Sequence, residues 1–279
     1  MDLSDRLELQ ELGRLARTIQ DVLKSNQWLL IGAMARDIQL HYKHSIKISR
    51  ATMDVDIAIA VADWEHYAES RNKLLATEQF SASRGSQHRL IYNQTLPLDL
   101  LPFGGVETTG SNIRWPSNDA VVMSVIGFNE ALGAADCFQL PGNVVTKVIC
   151  LPAYILLKAI AWSERHQLRP KVDAVDLLMV LANYIECGNQ HRLHDDDSDL
   201  LYEQNFDYEL SGAIMAGRDL KELLADQGGD PHPGILKLQE IIQPQLQSAQ
   251  PGKLLRDVPA NHMQQFANLL QAFLRGLND

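Results

Sequence analysis

Alternating apolar and polar positions predict a β-strand over residues 52–61. Its apolar side chains fall on one face, because strand side chains have a period of two, and they are Val55, Ile57, Ile59 and Val61. Asp54 and Asp56 share the opposite face, with Cα atoms roughly 6.6 Å apart at about 3.3 Å per residue. Aspartate is depleted in strands, and two carboxylates on one face repel unless a cation neutralises them. The two residues are therefore either surface carboxylates on a half-exposed strand or ligands of one or two divalent ions.

The chain before this strand has the pattern helix, strand, turn, helix. Apolar residues at helical spacing predict a helix over residues 5–25, and the apolar run 28–31 predicts a short buried strand. Gly32 and Ala33 then form a turn that leads into a helix over 34–42. Such a turn presents backbone N–H groups and the positive end of a helix to phosphate. The alternative is that Gly32 is a simple turn glycine.

Charged residues in and after this second helix need partners. Arg36 and Asp37 are expected in its first turn, where the helix dipole favours Asp37 and disfavours Arg36. Arg36 should therefore pair with an acidic side chain or a phosphate. A basic segment follows in an otherwise acidic chain, and it contains Lys43, His44, Lys47 and Arg50. It is either a contact for nucleic acid or triphosphate, or a solvated loop.

A third aspartate lies in a second apolar strand. Asp63 is a favourable N-cap for a helix over residues 64–76, and a hairpin follows with strands at 88–92 and 96–101. Asp99 is flanked by leucines in the second of these strands, and an unpaired charge there would be costly. If this strand lies beside the strand of the first aspartate pair, Asp99 completes a group of three carboxylates.

Beyond residue 104 the pattern changes from strand to helix. A turn-rich loop is expected over 104–118, and short strands are expected at 123–126, 137–140 and 144–149. From residue 152 the chain is helical, and its last part contains amphipathic segments at 220–225, 235–242 and 263–274.

One buried lysine is the main chemical feature of the helical half. The helix over 152–162 is apolar almost all round and holds Lys158 at its middle, and a buried lysine needs an anionic partner. The next predicted helix, 172–184, carries Asp173 and Asp176 one turn apart. Two interpretations stay open: an ion pair that ties the two helices together, or a lysine aimed at a phosphate and held by the aspartates.

Composition limits the class of protein. The 279 residues are 46% hydrophobic and 22% charged, which suits a globular protein of one or two domains. No apolar run reaches the ~18 residues that a membrane span needs, and the first residues lack a signal-peptide pattern. Cys137, Cys150 and Cys187 form no metal-ligand pattern, so buried thiols and a cytoplasmic location are expected.

The net charge of −10 argues against broad nucleic-acid binding. The acidic run 195–199 is expected to be a solvated loop rather than a calcium site.

Together these pieces resemble the DNA polymerase β-type nucleotidyltransferase superfamily. Its signature is a glycine and a small residue opening a helix, then Asp-x-Asp on a strand, then a third Asp on a neighbouring strand. The matching residues are Gly32 and Ala33, Asp54 and Asp56, and Asp99. The later Lys and Asp positions resemble the AbiEii-like bacterial members, and the likeness covers residues from about 28 to 185. Two departures are Ala33, where Ser or Gly is usual, and a long gap between the glycine and the first aspartate.

The resemblance implies an α+β fold, with a small mixed or antiparallel sheet flanked by helices and followed by a C-terminal helical domain. Residues 1–150 would be the nucleotidyltransferase catalytic core, and residues 151–279 the helical domain. Asp54, Asp56 and Asp99 would be catalytic and would hold Mg²⁺, with Asp99 also available as a base. The ions would neutralise nucleotide phosphates and lower the pKa of an attacking hydroxyl.

The implied reaction transfers an NMP from an NTP to an acceptor hydroxyl and releases pyrophosphate. The expected substrate-binding residues are Gly32, Ala33, Arg36, Lys158, Asp173 and Asp176. RNA is the expected acceptor, as at tRNA 3′ ends in some AbiEii-like proteins, and a cognate antitoxin is an expected partner because some members are toxins. No membrane partner is expected. The open alternatives are transfer to a protein or small molecule, a non-catalytic antitoxin-like binding module, and a metal-dependent hydrolase.

Overall fold

The computed structural model describes the chain except residues 25–26, 49–51, 53, 117, 169–170, 226–230 and 248–249, and it leaves the side chains of 118–121 undescribed. The chain divides into two compact units, Met1–Cys150 and Leu151–Asp279. The described strands belong to the first unit and the second unit is helical. The fold is therefore α+β, as the sequence predicts.

A mixed sheet is the framework of the first unit. Its strands in chain order are β1 (Trp28–Ile31), β2 (Val55–Val61), β3 (Phe80–Ala82), β4 (Arg89–Tyr92), β5 (Leu96–Gly104), β6 (Asn112–Trp115), β7 (Asn118–Ser124), β8 (Asp136–Leu140) and β9 (Val144–Val148). Among these described strands, seven form one sheet in the spatial order β3-β4-β5-β2-β1-β9-β8, and β6 pairs with β7 separately.

Strand β2 lies in the middle of the large sheet. It pairs antiparallel with β1 and parallel with β5. Val55 and Ile57 are at most 1% exposed, which confirms the predicted apolar face. The predicted start at residue 52 was wrong, because the strand begins at Val55 and Asp54 lies just before it.

Helices flank this sheet within the first unit. They are α1 (Gln10–Val22), α2 (Gly32–Asp37), α3 (Trp64–Leu75) and α4 (Phe128–Gly133). Leu12, Leu15 and Ile19 are buried along α1, as their helical spacing predicts. Asp63 caps α3 as predicted, because its side chain accepts a hydrogen bond from the backbone N–H of His66 at 2.7 Å.

Helix α2 differs from its prediction at the start. It begins at Gly32, two positions before the predicted residue 34, and continues as the π-helical turn Ile38–Tyr42. Arg36 and Asp37 therefore lie in its last turn, so the argument that placed them beside a positive helix end was wrong.

Other predictions for the first unit were incomplete. The segment 104–118 was expected to be a loop, but it contains β6, which pairs with β7. Four predicted features lie outside the described residues: residue 25 at the end of the first helix, Arg50 of the basic segment, residue 53 of the predicted strand and residue 117 of the predicted loop.

The second unit is a group of packed helices. They are α5 (Leu151–Arg165), α6 (Val172–Ala182), α7 (Ser198–Leu201), α8 (Tyr208–Leu223), α9 (Pro233–Gln247), α10 (Lys253–Arg256) and α11 (Met263–Asn278). Helices α8 and α11 approach closely at two glycines. A Cβ on Gly217 would lie 2.2 Å from the carbonyl oxygen of Phe273, and one on Gly276 would lie 2.0 Å from that of Ile214. No larger residue fits at either position without separating the helices.

The acidic run 195–199 was expected to be solvated, and this was wrong at its centre. Asp197 is only 3% exposed, and it pairs with Arg192 and Arg218, each at 2.7 Å. Arg218 also pairs with Asp199 at 2.7 Å. The centre of the run is a buried junction of ion pairs, so these two carboxylates are already neutralised by arginines.

Candidate active site

Four residues lie in one row across adjacent strands of the large sheet. Ile31 of β1 is opposite Asp56 of β2, Asp56 is opposite Asp99 of β5, and Asp99 is opposite Arg89 of β4. Residues paired in this way point to the same face of a sheet. The predicted neighbourhood of the strands of Asp56 and Asp99 is therefore confirmed, and it brings these two carboxylates side by side.

Gly32 lies directly against Asp56. Its φ is +69°, a left-handed conformation that glycine adopts without a steric penalty. A Cβ at this position would lie 2.0 Å from the Oδ2 atom of Asp56, closer than any contact allows. Glycine is therefore required here for two reasons, and the β1–α2 turn places its backbone beside the carboxylate. Ala33 follows and is 7% exposed.

Arg89 joins two of the three predicted carboxylates. Its guanidinium donates hydrogen bonds to both oxygens of Asp99, from Nε at 2.7 Å and from Nη2 at 2.6 Å. The same Nη2 lies 3.8 Å from Oδ2 of Asp54. The hydrogen bond to Asp99 is the main cause that raises the pKa of Arg89; burial opposes it, and the charges of Asp99, Asp54 and Asp56 add to it. Arg89 is thus the cation that the sequence reasoning required for Asp99.

Two further polar side chains lie near these carboxylates. Thr52 donates its hydroxyl to Oδ1 of Asp54 at 2.9 Å, which holds that side chain although it precedes the strand. His88 lies with Nε2 3.9 Å from Oδ1 of Asp99. Among the described residues, the group therefore includes three carboxylates, the guanidinium of Arg89 and the imidazole of His88 on the same part of the sheet.

The donor set can be tested against a divalent ion. Carboxylate oxygens are the ligands that Mg²⁺ prefers, so the chemistry of Asp54 and Asp56 fits. In the described part of the chain, however, no group of three or more His, Cys, Asp or Glu side chains is arranged to hold a metal ion. Arg89 engages both oxygens of Asp99, and the three-carboxylate metal site expected from the sequence stays a prediction.

Arg36 was expected to bind substrate, and its surroundings favour a different role. It is 1% exposed, and its Nε donates to Oδ1 of Asp37 at 2.8 Å. Of the two partners that the sequence allowed, the acidic side chain is the one found. A buried guanidinium bonded to a carboxylate favours a structural ion pair, and the assignment of Arg36 to substrate binding stays a prediction.

Lys158 lies within the second unit and is 6% exposed. Its Nζ is 3.0 Å from Oδ1 of Asp173 and 2.8 Å from Oδ2 of Asp176, so it ties α5 to α6. Arg165 also bonds to Asp173, at 2.9 and 2.8 Å, and Tyr154 donates to Asp176 at 3.1 Å. Both described cations pair with these carboxylates, which favours the ion-pair interpretation over a lysine aimed at phosphate.

The environment of Asp173 stabilises its charged form. Burial alone would raise its pKa, but the hydrogen bond from Arg165 and the charge of Lys158 outweigh it and hold the pKa of Asp173 below its ordinary value. A carboxylate that stays charged while buried depends on its cationic partners for its stability.

Sequence reasoning missed Arg89, His88 and Thr52. Arg89 and His88 were placed in a strand of the predicted hairpin but were given no role. The signal was present, because a hairpin with a short loop sets residues of its two strands opposite each other. What the pattern lacked was the register, which decides whether Arg89 or a neighbour meets Asp99.

Comparison with protein families decides the class of this site. The family model described as "Nucleotidyl transferase AbiEii toxin, Type IV TA system" matches residues 14–277. The chain belongs to the AbiEii nucleotidyltransferase family. It is a nucleotidyltransferase, an enzyme that transfers a nucleoside monophosphate, and its family is one of toxins from toxin–antitoxin systems. The resemblance found in the sequence is confirmed.

Two solved structures are similar to this AbiEii-family chain. One is the antibiotic-resistance factor ANT(2'')-Ia, which is 11% identical with a TM-score of 0.36 over 68% of this chain and 95% of that one. The other is a tRNA-processing enzyme in an apo form, which is 12% identical with a TM-score of 0.23 over 94% of this chain and 78% of that one. Structural similarity at this level does not indicate the substrate.

Comparison with curated protein sequences found no match. Across the described helices, none combines the length and apolar character that a bilayer crossing requires.

Proposed function

We propose that the unit Met1–Cys150 is the catalytic core, and that it transfers an NMP from an NTP to an RNA 3′ end in an Mg²⁺-dependent reaction. The observation that carries this proposal is the pairing of Asp56 with Asp99 beside the Gly32 turn. Two carboxylates next to a backbone turn that can bind phosphate are what this chemistry needs. The helical unit Leu151–Asp279 is proposed to be the accessory domain.

Each residue of the group has a proposed task. Asp54 and Asp56 hold the divalent ion, which when bound neutralises phosphate charge and lowers the pKa of the attacking hydroxyl. The backbone of Gly32 and Ala33 binds phosphate oxygens. Asp99, oriented by Arg89, lies on the same face and accepts the proton of the attacking hydroxyl. Catalysis here consists mainly of alignment and charge neutralisation.

RNA is the proposed acceptor because its chemistry suits the one basic segment of an acidic chain. Lys47 in this segment is exposed, whereas Lys43 is paired with Asp136 at 2.9 Å. The net charge of −10 restricts nucleic-acid contact to such a local patch. Transfer to a protein or small-molecule hydroxyl is the alternative that the experiment below separates. A cognate antitoxin in the cytoplasm is the proposed protein partner.

The proposal is tested with labelled NTPs, Mg²⁺, total RNA and a protein mixture. We expect label in RNA with release of pyrophosphate, and none when Mg²⁺ is chelated. The Asp56→Asn variant should lose transfer while keeping its far-UV circular dichroism. Asp21→Asn, which changes an exposed carboxylate on α1, is the matched control and should transfer normally. Label in protein would replace the RNA acceptor, and free nucleoside phosphate alone would indicate a hydrolase.

A further inference from the structure

An aromatic pocket lies between α3 and β6 in the first unit. It has a volume of about 270 Å³, and its walls include the rings of Trp64, Tyr67 and Trp115. The three ring centroids are 5.4 to 5.8 Å apart, so the rings support one another. Tyr67 and Trp115 are each 5% exposed, and Trp64 is half-buried. The pocket is therefore lined by aromatic rings that pack against one another.

The rim of this aromatic pocket includes polar residues. Arg71, Asn72 and Gln87 are among the residues that line it. Arg71 donates from Nε to the backbone carbonyl of Gln87 at 3.0 Å, which fixes the plane of its guanidinium. In the described part of the chain, neither its Nη groups nor the two amides have a hydrogen-bond partner. These groups can donate to and accept from the edge of a flat ligand.

The aromatic pocket is joined to the candidate active site by His88. The ring of His88 lies 5.3 Å from the ring of Trp115, and its Nε2 is 3.9 Å from Oδ1 of Asp99. Tyr67 donates its hydroxyl to the backbone carbonyl of Leu100 at 3.0 Å, the residue next to Asp99. A ligand in the pocket would therefore be separated from Asp99 by Trp115 and the imidazole of His88, within the same unit.

We propose that this aromatic pocket binds a nucleobase. Nucleobases stack on aromatic rings whatever their identity, and their edges form hydrogen bonds with guanidinium and amide groups. This inference rests on the proposed function, since a nucleotide must reach the adjacent carboxylates. The base belongs either to the donor NTP or to the acceptor RNA, and the same chemistry serves both.

The test fills the pocket without removing any of its walls. Ala68 is an exposed residue of α3 that lines the pocket, so Ala68→Leu adds bulk there and keeps a good helix former. Glu69→Leu changes the next exposed residue, which does not line the pocket, and is the matched control. Arg71→Ala removes the rim donor. Affinities for each NTP, for inorganic triphosphate and for a short RNA are measured by calorimetry, independently of transfer.

We expect Ala68→Leu and Arg71→Ala to weaken binding of one base-bearing ligand about tenfold, the order that loss of one stacked base produces. Binding of inorganic triphosphate should not change, and Glu69→Leu should match the wild type. Weaker NTP binding assigns the pocket to the donor base, and weaker RNA binding assigns it to the acceptor. Unchanged affinity for both ligands in folded variants would overturn the inference. This outcome can be distinguished from failure of the proposed function. If the proposed function fails, the wild type transfers no label, but these affinities can still be measured.

Discussion

Arg89 and Asp99 face each other across the pairing of β4 with β5, and the guanidinium donates to both carboxylate oxygens, at 2.7 and 2.6 Å. The same guanidinium lies 3.8 Å from Asp54. One side chain thus compensates the charge of Asp99 and lies near that of Asp54. A divalent ion that engages Asp99 must share it with Arg89 or displace the guanidinium.

Replacement of Arg89 by glutamine should destabilise the metal-free protein. Asp99 is 8% exposed, and it would lose its charged hydrogen-bond partner, at a cost of about 1–3 kcal/mol in the free energy of unfolding. Urea denaturation in the presence of a chelator measures this loss. Added Mg²⁺ should restore part of it, because the carboxylates then have another cation available.

The exposed Arg84 provides the control for this experiment. Arg84→Gln should leave the urea midpoint unchanged with or without Mg²⁺. Equal stability of Arg89→Gln and wild type in chelator would show that the pair does not contribute to the fold.

Replacement of Gly32 by alanine should disrupt the site through two separate effects. The backbone at φ +69° disfavours a side chain, and the new Cβ would meet Asp56 at 2.0 Å. We expect a loss of roughly 1–3 kcal/mol in unfolding free energy, together with loss of transfer. Thermal denaturation and the labelled-NTP assay measure the two effects.

Gly85 allows the backbone effect to be measured alone. Its φ is +80°, and a Cβ added there would have no atom within 4 Å beyond its chain neighbours. Gly85→Ala should therefore show only the cost of the left-handed backbone. Asp56→Ala removes the Oδ2 and Cγ atoms at 2.0 and 2.7 Å from the added Cβ but leaves the Asp56 Cβ at 2.9 Å, so Gly32→Ala should cost less stability in the Asp56→Ala background than in the wild type, and the double variant should stay inactive. If Gly32→Ala costs the same in both backgrounds, the carboxyl group of Asp56 does not restrict this position.

Replacement of Lys158 by methionine should lower stability much more than nucleotide affinity. Asp173 and Asp176 are 1% and 2% exposed, and removal of one partner from a buried charge group costs about 3–5 kcal/mol. The second substitution Asp176→Asn should recover part of this loss by restoring charge balance. Calorimetric titration with NTP gives the affinity. A weaker NTP affinity without loss of stability would favour the lysine-to-phosphate interpretation.

The stability that Asp173 contributes should depend on pH in the acid range. Its pKa is lower in the folded chain than in the unfolded chain, so the folded state binds fewer protons. This contribution is complete above the unfolded pKa of about 3.9, and it is lost as the pH falls through the lower folded value. The difference in urea midpoint between wild type and Asp173→Asn should therefore be largest near neutral pH and shrink below about pH 4. Asp196→Asn, at an exposed position, should show no such difference.

Local patterns in the chain were enough to locate most elements and the acidic positions. Strand β1 has the predicted bounds, Asp63 caps α3, and α5 covers the predicted buried helix around Lys158. These features depend on periodicity, capping chemistry and the cost of an isolated charge among apolar neighbours. Each of them is a property of a residue and the few positions beside it.

The partners of the charged residues required the folded chain. Strand register puts Arg89 against Asp99, folding buries Asp197 between two arginines, and packing of α3 against β6 forms the aromatic pocket. If β4 paired with β5 one residue out of register, Arg89 would point to the opposite face of the sheet. The order of apolar and polar residues in β4 would be the same in both registers. Periodicity states which face a side chain occupies, whereas its partner depends on which distant segment packs against that face. That choice is made by long-range packing and charge balance over the whole unit, and no local stretch of sequence contains it.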